Sequence, residues 1–134
     1  MSQLAEATRP IAVLLEIETE NHNAERCFQG LDSHFTLSVK ADEVRDPSNP
    51  RMTAERIFQQ IMAHRQKAST QGFDAVAIAT HQWHAWRDTI GSEVQEPFAE
   101  LLRSHGVRFI ELGTERCNEQ FRNLLSEQFA CVLN

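Results

Sequence analysis

The pattern of apolar and polar positions divides the chain into alternating strands and helices. Two runs, residues 11–18 and 73–79, are apolar almost throughout, which is typical of strands buried on both faces. The first run changes to alternation at Glu16 and Glu18, which indicates its emerging end. Residues 35–40 alternate strictly and predict a half-covered strand near an edge. Residues 107–112 predict a fourth strand.

Helical spacing occurs between these strands. Apolar residues recur three and four positions apart in residues 24–31, 52–69 and about 115–130, which predicts a helix in each range. A further helix carries Pro97 in its first turn and is closed by Gly106. Residues 42–51 contain Pro47 and Pro50 and predict a loop, with room for one short strand within 41–52.

The alternation of strands and helices along the chain favours a mostly parallel sheet with helices on both faces. We predict a three-layer α/β sandwich whose four strands lie in the order 2-1-3-4. The first and third strands are placed centrally because they are the most uniformly apolar. We expect one domain over residues 1–134, with residues 1–9 as a loose N-terminal lead-in.

Composition and charge narrow the classes of partner. The chain has 134 residues and a net charge of −6, with 13 Lys and Arg among 19 Asp and Glu. Because the cations form no stripe, nucleic acid is not expected as a partner. No apolar run approaches the roughly 18 residues that span a membrane. The N-terminus lacks the features of a signal peptide, so a cytoplasmic protein is expected. A homodimer is expected if the fourth strand or last helix leaves an apolar face exposed.

The predicted topology singles out one crevice. In open α/β sheets, ligands bind outside the carboxyl ends of the strands where the winding direction reverses. Here that point lies between the first and third strands, so the acidic end of the first strand is predicted to face the segment ATHQWHAWRD at 79–88. The ligand-binding residues predicted from this placement are Thr80, His81, Trp83, Trp86, Arg87, Gly91 and Ser92.

These residue types favour a role in binding, with no or weak catalysis. A tryptophan can stack a base, Arg87 can pair with a phosphate, and backbone amides near Gly91 and Ser92 can cradle one. A nucleotide-like small molecule is therefore one predicted ligand. Because Trp and Arg also dominate protein interfaces, a protein partner is the other.

Two other functions stay open. A metal-assisted hydrolase would use His81 and His84, three positions apart, with Glu18 and His22 completing the ligand set. Ser92 lies in GSE and not in the GxSxG motif of a serine nucleophile, so the sequence identifies neither a catalytic residue nor a cofactor. The third hypothesis is that the chain is an interaction or structural protein without a small ligand.

Part of the chain resembles a known family. FDAVAIATH, the pair Gly91-Ser92, a helix and the strand VRFIEL are similar to the C-terminal half of universal stress proteins, over residues 73–112. The resemblance implies an α/β fold with a crevice at the switch point. ATP-binding members carry two further glycines where this chain has Gln82 and Ala85, so the resemblance stops short of implying ATP binding at Gly91 and Ser92.

Overall fold

A computed structural model describes residues 9–18, 35–80, 91–112 and 117–128. The strands within these ranges are β1 (Arg9–Glu18), β2 (Thr36–Lys40), β3 (Phe73–Thr80) and β4 (Arg108–Glu111). The helices are α1 (Ala41–Val44), α2 (Pro50–Ser69), α3 (Gln95–Ser104) and α4 (Cys117–Gln128), and a 3₁₀ turn at Ser92–Val94 leads into α3. The helix predicted at 24–31 lies outside the described residues.

The four strands form one parallel sheet in the order β2-β1-β3-β4, which confirms the predicted α/β sandwich and its strand order. β1 pairs with β2 from Leu14 beside Thr36 to Glu18 beside Lys40. β3 pairs with β1 on one side and with β4 on the other. The two apolar runs are therefore the two central strands, as their lack of alternation predicted.

β1 begins earlier than predicted. The sequence predicts a lead-in that includes Arg9 and a strand that begins after Pro10, but these two residues pair with Phe73 and Asp74 of β3. A proline lacks the N–H that a central strand needs on one side. Within the described residues β1 pairs with β2 only from Leu14 onwards, so at Pro10 the strand needs hydrogen bonds only toward β3.

The core lies on both sides of β1 and β3. Residues 11–17 of β1 are all 0–1% exposed, which explains why this run does not alternate. Each fully buried Leu, Ile or Phe contributes about 1.5–3 kcal/mol relative to an exposed one. The largest fully buried side chains are Phe98, Phe121, Ile11, Leu14, Leu15, Ile17, Ile57, Ile61, Ile78 and Leu102.

Residues 41–52, for which the sequence predicts a loop with room for a short strand, are partly helical in the structure. Residues 41–52 are all described and contain no strand; they form α1, a turn at 45–49 and the start of α2. α1 forms because Ala41 and Val44, three positions apart, are both buried. α2 begins at Pro50 because Asn49 caps it, its side chain accepting a hydrogen bond from the Met52 N–H at 3.1 Å. Proline is well suited to the first helical position.

α2 packs against α3 on one side of the sheet. Phe58 of α2 lies against the ring of His105, with centroids 4.6 Å apart. Phe98 of α3 meets Phe109 of β4 edge to face at 5.8 Å. The face of the sheet that carries Phe109 is therefore the face covered by α3.

α3 ends at Ser104, and Gly106 closes it as the sequence predicted. This glycine has φ +71°, a conformation that side chains with a Cβ disfavour. Its N–H donates to the Arg103 carbonyl at 3.1 Å, and the Val107 N–H donates to the Leu102 carbonyl at 2.9 Å. These two bonds are a Schellman cap, which turns the chain directly into β4.

The remaining helix, α4, contacts β1 and buries Phe121. It falls within the range of about 115–130 that the periodicity predicted. Among the described helices, none is both long and apolar enough to cross a membrane.

Candidate functional site

The winding of the sheet reverses between β1 and β3, as predicted. From β1 the chain moves to β2 on one side, and after α2 it enters β3 on the other side of β1. The strands are parallel, so the carboxyl ends of β1 and β3 lie at the same edge. This edge is where ligands bind in open α/β folds.

Three of the predicted ligand-binding residues are described. Thr80 ends β3 and is fully buried, and its carbonyl accepts a hydrogen bond from the Leu112 N–H at 2.8 Å. Gly91 and Ser92 are exposed in front of α3. Gly91 has φ +99° and ψ 139°, a region adopted almost only by glycine. Its carbonyl accepts from the Val94 N–H at 3.3 Å and so starts the 3₁₀ turn.

Of the other predicted site residues, only Glu18 is described: it is the last residue of β1 and lies beside Lys40 of β2. His22, His81, Trp83, His84, Trp86 and Arg87 lie outside the described residues, as do Gln82 and Ala85. The ligand-binding set and the alternative metal set both stay predictions.

Sequence reasoning missed the buried carboxylate of Glu16. The alternation at Glu16 and Glu18 predicted a strand emerging into solvent, but Glu16 is 0% exposed and both its carboxylate oxygens are shielded from solvent. Burial of a carboxylate is costly unless donors or a cation compensate for its lost hydration. The sequence signal was a carboxylate within residues 11–17, which are otherwise all apolar.

Glu16 and Thr80 face opposite sides of the sheet. Neighbouring residues in register on parallel strands point to the same side, and side chains alternate along each strand. Thr80 shares the side of Ile78 and of Phe109, the side that α3 covers. Glu16 shares the side of Leu14, which pairs with Ala79. The two residues therefore approach the carboxyl edge from different faces.

An open groove of about 340 Å³ lies on the side of α2 and α3. It runs between the first turns of these helices, which both start at the carboxyl edge because each follows a strand of a parallel sheet. The groove is lined by Pro50, Arg51, Glu93, Glu96, Pro97 and Glu100. Three carboxylates against one guanidinium give it an acidic character.

The turn at 45–49, which leads into α2, is held by side-chain hydrogen bonds. The Asp46 carboxylate accepts from the Ser48 hydroxyl at 2.8 Å and from the Ser48 N–H at 3.2 Å. The Thr53 hydroxyl accepts from the Asp46 N–H at 2.8 Å. These bonds fix the turn at 45–49 to the first turn of α2, which carries Pro50 and Arg51 of the groove.

Metal-ligating side chains do not cluster in the part of the chain that the structure describes: it contains no group of three or more His, Cys, Asp or Glu suited to a metal ion. Three of the four residues of the predicted metal set lie outside that part. The metal-assisted hydrolase therefore stays an untested alternative.

Comparison with known proteins gave no significant match to any family model, curated protein or solved structure. The similarity to universal stress proteins therefore depends only on the residues quoted for it. The cytoplasmic location and the homodimer also stay predictions.

Proposed function

We propose that this chain is a small α/β binding domain that holds a small molecule at the carboxyl edge of its sheet, between the ends of β1 and β3. The observation that carries the proposal is the parallel strand order β2-β1-β3-β4, because this order puts the reversal of winding between those two strands. The segment 81–90, which holds both tryptophans and two histidines, follows β3 directly.

The class of ligand is proposed from the residue types in the segment that follows β3 and in the groove at the carboxyl edge. Trp83 and Trp86 can stack a planar ring, and such stacking is worth about 1–3 kcal/mol per base in nucleic-acid binders. The groove at the same edge carries Glu93, Glu96 and Glu100 against the single cation Arg51. Its net negative charge repels phosphate and opposes the attraction expected from Arg87. Within the nucleotide-like class, we therefore expect a nucleoside or a similar uncharged ring to bind in preference to a polyphosphate.

Tryptophan fluorescence tests the proposal directly. The chain has two tryptophans and no tyrosine, and both tryptophans lie in 81–90, so the signal reports this segment alone. We expect adenosine to change the emission at lower concentration than AMP, and AMP at lower concentration than ATP. The differences should shrink as salt is added, since salt screens the carboxylates.

Matched variants locate the binding. Trp83→Phe and Trp86→Phe each keep one reporter, and at least one of them should weaken binding. Glu119→Gln removes an exposed carboxylate from α4 and should leave the titration unchanged. If no ring compound alters the emission of folded protein, the proposal fails. Sedimentation that depends on protein concentration would then favour association with a second copy of this chain over binding of a small molecule.

A further inference from the structure

We draw no further inference here: the strongest candidate, the acidic groove between the first turns of α2 and α3, is a cluster of carboxylates for which no second observation among the described residues points to a ligand, and the buried Glu16 at the end of β1 belongs to the site already described.

Discussion

Replacing Thr53 by valine is expected to destabilise the protein through the loss of one hydroxyl. Thr53 is 0% exposed in the first turn of α2. Its hydroxyl oxygen accepts from the Asp46 N–H at 2.8 Å, and the hydroxyl donates to the Asp46 carbonyl over a longer 3.4 Å. Valine fills nearly the same volume but can do neither, so the Asp46 amide loses its partner.

The magnitude follows from two opposing effects. A partly buried amide left without a partner costs about 1–3 kcal/mol. The methyl group that replaces the hydroxyl adds apolar burial worth about 0.8 kcal/mol. The net loss in free energy of unfolding is therefore roughly 0.2–2.2 kcal/mol. For a chain of this length, a loss of 1 kcal/mol lowers Tm by roughly 4 °C.

Two measurements separate this explanation from a simple packing change. Urea unfolding gives the free energy, and hydrogen exchange followed by NMR gives the protection of the Asp46 amide. Thr53→Val should speed exchange of that amide. Thr53→Ser loses a methyl group but keeps the hydroxyl, and should preserve the protection. The reasoning is refuted if the valine variant is fully folded and its Asp46 amide exchanges as slowly as in the wild type.

Three further substitutions test packing, charge and backbone conformation. Phe98→Ala removes a 0% exposed ring that meets Phe109 at 5.8 Å and should cost about 3–5 kcal/mol in urea unfolding; a cost near zero would contradict the packing of α3 on β4. Arg65→Ala breaks the 3.0 Å ion pair with Asp74, whose partners are 26% and 40% exposed. It should cost no more than about 1 kcal/mol, and a loss unchanged at about 1 M salt would count against an ion pair as the cause. Gly91→Ala should cost about 1–3 kcal/mol in thermal unfolding because of its φ of +99°, although a Cβ there meets nothing within 4 Å. Ser92→Ala, at the exposed neighbouring residue, should change stability by less than about 0.5 kcal/mol, and equal effects of the two would contradict the backbone argument.

The strand order could be predicted because a strand buried on both faces has a recognisable sequence pattern. Residues 11–17 and 75–79 are apolar with little alternation, and only central strands need that pattern. The end of α3 could also be predicted, since Gly106 takes a positive φ and glycine commonly ends helices in this way.

The predicted start of α2, at residue 52, was wrong because two prolines close together suggested a loop. Pro47 does lie in a turn, but Pro50 occupies the first helical turn behind the cap Asn49. Proline thus occurs in a turn and, three positions later, in the first turn of a helix. The asparagine before Pro50 distinguishes the second case, because asparagine is a preferred N-cap. α1 was missed because four residues are too few to show a period.

The sequence predicts the location of the candidate site better than it predicts the site's chemistry. The winding of the sheet fixes the edge at which β1 and β3 end, and the winding follows from which strands are apolar on both faces. The burial of Glu16 could not be predicted, because a sequence does not show which side chains of another layer cover the end of a strand. Trp83, Trp86 and Arg87, on which the ligand class depends, lie outside the described residues.

The buried carboxylate of Glu16 gives a physical reason to look for function at this edge. An apolar side chain at a fully buried position in a central strand would avoid the cost of dehydrating a carboxylate. Sequences that specify a fold usually obey such local rules and break them at functional sites. Among the sheet residues whose burial is described, Glu16 is the one carboxylate that is fully buried, and it lies near the end of β1 where the winding reverses. It faces away from α2 and α3, whereas the groove lies on their side. The proposed site above the strand ends is the place where these two faces of the sheet meet.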